Sequence, residues 1–502
     1  MLRPIMFVGT ASDVGKSIVT TGFCRIFKED GYTPAPFKAQ NMSLNSFATP
    51  EGLEIGRAQA VQAEAAGLAC HTDMNPVLLK PTTDKSSQVL LNGKAVGNMS
   101  VNDYFKSTWR EELFGEVKKA FARLSALYSP IVLEGAGSIS ELNLKERDIS
   151  NMRMSIHAGA ATYLVTDIER GGIFASLYGT MALLEPEERK QIKGIIINKF
   201  RGDISLFEGG KKKIEELCGV PVVGILPWFT DIRIEEEDSV SLRKKLTVAA
   251  PGKVNIAVIR LNRLSNFTDF SRLENDSRVN LYYSSDKDEV SAADIIIIPG
   301  SKNTIEDAIA LKNNGLAEEI TDAFRRGKTV VGICGGFQIL GESIADPYHV
   351  ESAVAETPGL GLLPVRTVLQ QEKITRQGNF TYQQCSTPCT GYEIHMGETL
   401  TAAPSPLNHF ADGRPEGYRL NPKCWGTYMH GILDNPVVIN DILAPYTALL
   451  VDIVPYAEFK EKQYTRLAAL MREHLDLDYI YTSMRIEDVP AFPVQPGQTD
   501  RL

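Results

Sequence analysis

A glycine-rich loop near the amino terminus constrains the fold of this chain more than any other feature of its sequence. The loop, Gly9–Ser17, reads GTASDVGKS and lies between the apolar run Ile5–Val8 and a stretch with helical periodicity. In a strand–loop–helix context of this kind, backbone N–H groups and the helix N-terminus hold phosphate oxygens, Lys16 reaches the outer phosphates, and Ser17 ligates Mg²⁺. We therefore predict a nucleotide-binding α/β domain that uses ATP and Mg²⁺. The loop residues expected to contact the nucleotide are Gly9, Thr10, Gly15, Lys16 and Ser17.

The spacing of this loop departs from the standard phosphate-loop pattern, because five residues instead of four separate Gly9 from Gly15. The longer spacing is similar to the loop of dethiobiotin synthetase and its relatives in the partition-ATPase superfamily. Glu134 ends the apolar run IVLE and is a candidate second Mg²⁺ contact, since Mg²⁺ prefers oxygen ligands, although a surface carboxylate fits the same position. Asn198, at the end of another apolar run, resembles the adenine-recognising position of that superfamily.

Short apolar runs that recur through the first half of the chain predict buried parallel strands. Helix-like stretches separate them, and one extends from Lys16 to about Asp30, where Gly31 is suited to end a helix. This alternation predicts a doubly wound α/β domain. The apolar runs lie at 5–8, 131–134, 162–166, 194–198 and 222–226.

A charged stretch followed by the turn Ala249–Lys253 marks the predicted domain boundary. After it, a second α/β series has its clearest strand-to-loop junctions at 295–301 and 329–336. Near the carboxyl terminus, an amphipathic helix is predicted from Phe459 to Leu475 and is expected to pack on the body of the protein. The predicted units are a nucleotide-binding α/β domain at 1–240, a second α/β domain at 252–445 and a C-terminal helical extension at 446–502.

The second domain carries the sequence of a nucleophile elbow. Gly332–Gly336 reads GICGG and lies between the apolar run TVVG and the stretch FQIL, an order of strand, tight turn and helix that exposes Cys334 at the turn. A thiol at a helix N-terminus is also easier to ionise. The N–H of Gly335, together with that of Gly300 from the earlier PGS turn, is expected to form an oxyanion hole.

A cysteine nucleophile needs a base, and the best-placed histidine is His430 in GTYMHGILDN, with His395 in GYEIHMGET as its competitor. The glycine-flanked cysteine resembles class I glutamine amidotransferases, in which a carboxylate normally follows the histidine two positions later. Here Ile432 occupies that position, and Leu433 and Asp434 come after it. A Cys–His dyad and a triad therefore both remain open.

The composition narrows the classes of partner. A formal net charge of −9 at pH 7 argues against a nucleic-acid backbone or an anionic membrane as the main partner. The apolar runs are far shorter than the roughly 20 residues of a membrane-spanning helix. The first residues lack the longer apolar segment and cleavage site of a signal peptide, so we expect a cytoplasmic protein. The 7 cysteines form no regular framework, which fits free thiols, and Cys385 and Cys389 lack the second ligand pair of a zinc site.

Ten strings occur in the order, and close to the wording, seen in cobyric acid synthases. They cover nearly the whole chain, and together they are much more specific than any one of them. The sequence resembles the cobyrinate and cobyric acid synthase amidotransferase family, which implies a dethiobiotin-synthetase-like phosphate-loop domain followed by a class I glutamine amidotransferase-like α/β domain. The resemblance thus implies an ATP-binding amidoligase domain at 1–240 and a glutamine amidotransferase domain at 252–445. The strings are FVGTASDVGKS, FKAQNMSLNS, EGAGSISELNL, ERDISNMRM, TDIERGGIFAS, NKFRGD, PGSKNT, GICGGFQILG, GYEIHMGET and GTYMHGILDN.

The resemblance implies an ATP- and glutamine-dependent carbon–nitrogen ligase of adenosylcobalamin biosynthesis. Its substrate would be adenosylcobyrinic acid a,c-diamide, and the b, d, e and g propionates would be amidated in succession, each with one ATP and one glutamine. Cys334 would release ammonia from glutamine through a thioester, while the first domain would convert a carboxylate into an acyl phosphate beside Lys16.

Polar residues in two of the strings are candidates for lining the nucleotide and corrinoid side, although hydrogen bonding within the loops explains them equally well. Arg147 and Arg153 are candidates for pairing with substrate carboxylates, which Arg binds bidentately, or are plain surface cations. The polar candidates are Gln40, Asn41, Ser43, Asp148 and Asn151.

Three rival interpretations share part of this pattern. Cobyrinic acid a,c-diamide synthases have both sites but act on the a and c acetates, and the strings GYEIHMGET and FKAQNMSLNS favour cobyric acid synthases instead. An amidoligase of cell-wall precursors is usually divided between two chains. A partition-type switch ATPase with an inert glutaminase-like domain is disfavoured by the presence of Cys334 and His430.

Overall fold

A twisted sheet of six parallel strands forms the centre of the first domain. The computed structural model describes residues 2–83, 86–100, 107–235, 249–449 and 454–485. The strands are short apolar runs buried on both faces, which is why they read as continuous hydrophobic segments in the sequence. From one edge to the other, they are Val222–Pro227, Ile192–Phe200, Ala161–Asp167, Ile5–Gly9, Ile131–Glu134 and Ala35–Phe37.

Helices cover both faces of this sheet. The helix that follows the phosphate loop ends at Glu29, and Gly31 takes the positive φ of 84° that a helix C-terminus favours. The α-helices are Lys16–Glu29, Arg57–Ala66, Ser107–Leu127, Met152–Ala158, Ile173–Leu183, Pro186–Gln191 and Glu208–Cys218, and the 3₁₀ turns are Thr72–Met74, Lys145–Arg147 and Ile204–Phe207.

A small sheet is inserted between the second and third strands of the first domain, and the sequence analysis did not predict it. Its strands are more polar than those of the central sheet, so that they lack the continuous apolar runs on which the prediction of strands relied. The insertion carries Lys80, Glu54 and Ser46 toward the second domain. Its strands are Gln40–Met42, Val77–Thr83, Ser86–Leu91 and Lys94–Ser100, with the separate hairpin Ser46–Ala48 and Glu54–Gly56.

The second domain is also built on a six-stranded sheet, in which only the edge strand Tyr418–Asn421 is antiparallel to its neighbour. The other strands, in order from the opposite edge, are Val279–Ser284, Val254–Ile259, Ile295–Ile298, Thr329–Ile333 and Cys424–Thr427. Its α-helices are Ser271–Glu274, Lys287–Ala292, Thr304–Asn313, Leu316–Arg325, Gly335–Leu340 and Pro436–Leu443, with 3₁₀ turns at Phe267–Phe270 and Ile432–Asp434 and a short strand pair Leu264–Ser265 and Gly300–Ser301.

A second, largely antiparallel sheet packs beside this core and is dominated by one long hairpin, Arg366–Tyr382 with Pro388–Leu400. The hairpin carries Ile394 over the nucleophile elbow, where the carbonyl of Ile394 lies 3.5 Å from Sγ of Cys334. The remaining strands are Ser343–Ala345, Glu356–Pro358, Asn408–Phe410, Pro415–Glu416 and Met429–His430.

The C-terminal helices Tyr456–His474 and Leu477–Met484 return to the first domain. Leu467 and Met471 join the buried cluster formed by the first helix and the central sheet. Contact is close enough that a Cβ on Gly22 would lie 2.0 Å from Sδ of Met471. The helix begins at Tyr456, three residues before the predicted start at Phe459. Its apolar residues complete the hydrophobic core of the first domain. In the described part of the chain, no helix combines the length and apolarity needed to cross a bilayer.

Two candidate active sites and the junction between them

The phosphate loop wraps around the ammonium group of Lys16. Its Nζ donates to the carbonyls of Ala11 at 3.0 Å and Gly137 at 2.9 Å. Gly15 adopts a φ of 96°, and a Cβ there would lie 2.0 Å from Nδ2 of Asn198. The loop thus requires glycine at this position, and it holds a cation at the N-terminus of the helix, where phosphate oxygens bind most favourably.

Two other predicted nucleotide contacts are held by hydrogen bonds to neighbouring strands. The backbone N–H of Thr10 donates to the carbonyl of Val165 at 3.1 Å, and its hydroxyl lies 3.1 Å from that of Thr166. Asn198 donates from Nδ2 to the carbonyl of Val14 at 2.9 Å. Asn198 therefore stabilises the phosphate loop through this hydrogen bond, and its role in recognising adenine stays a prediction.

Glu134 lies at the centre of a buried polar cluster beside the loop. Its Oε1 accepts from the hydroxyl of Ser17 at 2.9 Å and from Nζ of Lys38 at 2.9 Å, while its Oε2 accepts from Nε2 of Gln62 at 2.5 Å. Burial raises the pKa of this carboxyl, but the charge of Lys38 and the hydrogen bonds from Lys38 and Gln62 outweigh burial and lower the pKa overall. The carboxylate therefore stays ionised.

The hydroxyl of Ser17 and the carboxylate of Glu134 together form an oxygen pair at the end of the phosphate loop. Mg²⁺ is usually held by one or two carboxylates or hydroxyls together with phosphate oxygens and water, so this donor set suits Mg²⁺. Lys38 and Gln62 support the pair, and the sequence analysis missed both. Lys38 lies in the string FKAQNMSLNS, but nothing in the sequence indicates that this lysine contacts Glu134, which is far away in the chain.

The predicted substrate-side residues of the string FKAQNMSLNS are held by hydrogen bonds near the loop. Gln40 accepts from Nη1 of Arg110 at 2.8 Å through Oε1. Asn41 donates to Oε1 of Gln59 at 2.9 Å, and the hydroxyl of Ser43 accepts from a backbone N–H at 3.0 Å. These contacts fit the alternative of loop hydrogen bonding, and a role in substrate binding stays a prediction.

The candidates from the string ERDISNMRM are also held by hydrogen bonds. Asp148 accepts from the backbone N–H of Ser150 at 2.8 Å, and Asn151 exchanges two hydrogen bonds with the backbone of Ala136 at 2.8 and 3.0 Å. Arg153 forms an exposed ion pair with Glu111 at 2.7 Å. Asn151 therefore fixes the loop that follows Glu134, next to the phosphate site.

Cys334 sits in a strained turn between the strand Thr329–Ile333 and the helix Gly335–Leu340. Its φ of 51° is unusual for a residue with a side chain, and such strain is common at functional turns. The turn tolerates no side chains next to it, because a Cβ on Gly336 would lie 1.9 Å from the carbonyl oxygen of Ile298. The chain therefore presents the thiol at the start of a helix in the geometry of a nucleophile elbow.

His430 faces this thiol and is oriented by a carboxylate from another part of the chain. Its Nδ1 lies 2.7 Å from Oδ2 of Asp269, whose Oδ1 accepts the backbone N–H of Gly431 at 3.0 Å. Burial alone would lower the pKa of His430, but the charges of Asp269 and Cys334 raise it to about 10. The arrangement favours a protonated imidazole beside the thiol, and a cysteine next to a histidine is the pair that nucleophilic thiol chemistry uses.

Asp269, the third member of the Cys–His–Asp triad, was not predicted, because only carboxylates that follow His430 in the sequence were candidates. Asp434 lies partly buried near Gly431 and makes no hydrogen bond to the imidazole, and burial of its carboxyl together with Glu235 raises its pKa to about 8. Asp269 is 161 positions from His430. Because that separation follows no periodic pattern, only the absent carboxylate two positions after His430 hinted at a partner elsewhere.

The competing histidine, His395, is oriented away from this role. Its Nδ1 lies 2.8 Å from the carbonyl oxygen of Gly397, and its ring stacks on Tyr428 with a centroid distance of 3.7 Å. His430 is therefore the better general base. For the oxyanion hole, Gly300 pairs with Ser265 close to the His430 ring and Gly335 follows the nucleophile, and the role of both N–H groups stays a prediction.

A small cavity of about 40 Å³ in front of Cys334 is shared by both domains. Lys80 of the inserted sheet and Lys373 of the second domain line it, and both are bonded to Glu54, Lys80 at 2.6 Å. Burial raises the pKa of Glu54, but Lys373 and Lys80 together lower it well below its usual range. This buried Lys–Glu–Lys bridge joins the domains at the wall of the thiol site.

Backbone hydrogen bonds reinforce the junction close to Asp269. The N–H of Ser46 donates to Oδ1 of Asn266 at 2.9 Å, and the N–H of Phe267 donates to Oδ1 of Asn45 at 3.1 Å. The first domain therefore braces the turn from which Asp269 reaches the histidine.

The helix Arg57–Ala66 connects the junction to the phosphate site. Arg57, at its first position, pairs with Glu235 at 2.6 Å beside Asp434, and Gln62, further along, donates to Glu134. One rigid element thus contacts both the domain junction and the carboxylate beside the phosphate loop.

Two family models match the chain, one on each domain. A nucleotide-binding domain model described as CobQ/CobB/MinD/ParA matches residues 5–242, and a CobB/CobQ-like glutamine amidotransferase domain model matches residues 255–438. Together with the two sheets, these matches confirm the predicted fold class.

Curated relatives match over nearly the whole length. A cobyric acid synthase of Parabacteroides distasonis is 60% identical over 491 residues, which cover 96% of this chain and 99% of the relative. Those of Bacteroides fragilis and Phocaeicola vulgatus are 59% and 56% identical, each covering 97% of this chain and 99% of the relative. The similarity therefore extends across both candidate sites and the junction between them.

Proposed function

The chain belongs to the cobyric acid synthase family, and we propose that it amidates the b, d, e and g propionates of adenosylcobyrinic acid a,c-diamide, with ATP and glutamine, in adenosylcobalamin biosynthesis. The observation that carries the proposal is the pairing of a phosphate-loop site and a Cys334–His430–Asp269 triad in one chain. A site that binds ATP and a site that releases ammonia are what a glutamine-dependent ligase needs.

In the second domain, the thiolate of Cys334 attacks the side-chain carbonyl of glutamine. The C–N bond breaks, and ammonia leaves with a proton from the imidazolium of His430. Water then hydrolyses the thioester, with His430 as general base, and releases glutamate. Asp269 keeps Nδ1 of His430 protonated, so that Nε2 faces the reacting atoms.

In the first domain, an oxygen of the substrate carboxylate attacks the γ-phosphorus of ATP, and the bond to ADP breaks. Lys16 stabilises the charge on the phosphate oxygens, while Ser17 and Glu134 would hold Mg²⁺, which supplies further charge neutralisation when bound. Ammonia then attacks the acyl carbon, and inorganic phosphate leaves as the amide forms.

Mass spectrometry of the corrinoid product tests this proposal. Cobyrinic acid a,c-diamide in its adenosylated form is incubated with ATP, Mg²⁺ and either glutamine or ammonium, and the intact protein is compared with Cys334→Ala. We expect four successive exchanges of OH for NH₂ with the intact protein. Cys334→Ala loses the reaction with glutamine and keeps it with ammonium. An unchanged corrinoid mass with both nitrogen donors would refute the corrinoid substrate.

A further inference from the structure

Lys302 is a buried cation that faces the thiol cavity without a partner of its own. It follows the PGS turn, and only 7% of its surface is exposed. Its ammonium makes neither an ion pair nor a hydrogen bond with any residue that the structure describes. Burial lowers the pKa of Lys302, and Lys373 lowers it further, whereas Glu351, Glu54 and Cys334 raise it in part. An ammonium placed in this way lacks the anion that would compensate its desolvation.

A carboxylate lies on the same cavity. Glu351 lines it and accepts the backbone N–H of Thr304 at 3.0 Å through Oε2. Burial raises the pKa of Glu351, and Lys302 counteracts this only in part. Although each feels the charge of the other, Lys302 and Glu351 form no ion pair within 4.0 Å. The cavity is therefore lined by one cation, Lys302, and one carboxylate, Glu351, that do not contact each other.

The other two lysines of the cavity are already compensated. Lys80 and Lys373 both bind the carboxylate of Glu54, which spans the domain junction. The charge left without a close partner is therefore that of Lys302, on the side of the cavity formed by the second domain. A ligand that satisfies both Lys302 and Glu351 must carry an anion and a cation a short distance apart.

The α-carboxylate and α-ammonium groups of a free amino acid have this property, and glutamine is the amino acid that the neighbouring thiol requires. We infer that Lys302 binds the α-carboxylate of glutamine and that Glu351 binds its α-ammonium group, so that the side-chain amide reaches Cys334. The inference rests on the proposed glutaminase activity and names the residues that select its substrate. It explains why a buried lysine stands unpaired beside the nucleophile.

The cavity of about 40 Å³ has room for only a few water molecules, since one water needs at least about 10–15 Å³ of such space. Glutamine binding therefore requires the wall to widen. The wall that belongs to the first domain is formed by Lys80, which Glu54 and Ser46 hold in place. Movement of the inserted sheet relative to the second domain would open the site without disturbing Lys302 or Glu351.

Steady-state glutamine hydrolysis tests the inference in the full-length protein. Lys302→Met should raise the KM for glutamine about 10- to 100-fold, the usual scale for removing a hydrogen bond to a charged group, with a much smaller change in kcat. With glutamine α-carboxamide, whose α-carboxylate is replaced by a neutral amide, the variant and the unmodified protein should have equal KM values. The exposed Lys287→Met serves as the matched control and should behave as the unmodified protein.

Glu351→Gln provides the complementary test, because its amide oxygen can still accept the Thr304 N–H. It should raise the KM for glutamine but leave that for Nα-acetylglutamine, which has no α-ammonium group, unchanged. Both variants should retain ammonium-dependent amidation, which shows that they fold. A KM for glutamine within twofold of the unmodified value, or an equal penalty on the modified glutamines, would overturn the inference. If the unmodified protein itself hydrolyses no glutamine, the proposed function fails instead.

Discussion

The Nδ1 atom of His430 lies 2.7 Å from Oδ2 of Asp269, although the two residues are 161 positions apart in the chain. The same carboxylate accepts the N–H of Gly431, so one aspartate fixes both the ring and the backbone of the base. The turn that carries Asp269 is braced by Asn45 and Ser46 of the first domain. The glutaminase triad therefore depends on the domain junction as well as on its own domain.

Asp269→Asn is predicted to reduce glutamine-dependent activity by at least about tenfold, with an upper limit near the ~10⁴-fold loss known for the equivalent change in a Ser–His–Asp triad. An asparagine no longer stabilises the imidazolium of His430, whose pKa should fall from about 10. Glutamine hydrolysis is measured against pH, and its alkaline limb should move to lower pH. Ammonium-dependent amidation should be unchanged, as should both activities in the exposed control Asp412→Asn. Full glutaminase activity in Asp269→Asn would show that the site works as a dyad.

Glu134→Gln is predicted to reduce amidation by about 10²–10³-fold with either nitrogen donor, because it removes a charged oxygen placed beside Ser17 for phosphoryl transfer. Glutamine hydrolysis in the absence of ATP should be retained, since Glu134 does not line the thiol cavity. Product amide and glutamate are measured separately. The exposed Glu141→Gln is the control, and equal amidation by the two variants would exclude a role for Glu134 in the nucleotide site.

Glu54→Gln is predicted to separate the two activities. Removing one carboxylate leaves Lys80 and Lys373 buried without their counter-ion, which costs about 3–5 kcal/mol in typical buried pairs. We expect a lower midpoint of thermal unfolding and more glutamate released per amide formed, because ammonia escapes at a loosened junction.

The double variant Glu54→Gln with Lys373→Gln removes one uncompensated charge and should recover part of the lost stability. If Glu54→Gln keeps one glutamate per amide and the unmodified thermal midpoint, the bridge does not hold the junction.

Asp434→Asn is predicted to stabilise the protein at alkaline pH. Burial and the neighbouring Glu235 raise the pKa of Asp434 to about 8, whereas Lys460 and Arg57 oppose this effect. A carboxyl whose pKa is raised on folding favours the folded state fully below its unfolded pKa of 3.8, and this contribution disappears as the pH rises through about 8.

Asparagine does not titrate, so the variant should gain up to about 6 kcal/mol relative to the unmodified protein between pH 4 and pH 9, because one pKa unit corresponds to about 1.4 kcal/mol. Thermal midpoints of both proteins are recorded across this range, with Asp412→Asn as the exposed control. Parallel pH profiles for Asp434→Asn and the unmodified protein would contradict the assignment.

Features set by consecutive residues were predictable from the sequence. The phosphate loop and the elbow around Cys334 depend on glycines whose positive φ or missing side chain is needed within a few positions, as the contacts of Gly15 and Gly336 show. The first helix ends where Gly31 follows it for the same local reason. The parallel sheet was also predictable, because strands that are buried on both faces appear in the sequence as continuous apolar runs.

Tertiary structure alone decided which distant groups meet at the sites. The pairing of His430 with Asp269, the support of Glu134 by Lys38 and Gln62, and the bridge through Glu54 join residues with no shared periodicity or fixed spacing. The inserted sheet was not predicted because polar residues interrupt the apolar runs of its strands. Local backbone geometry depends on neighbouring residues and can be predicted from them. A hydrogen bond between remote segments forms only after packing has brought both segments together in the folded protein.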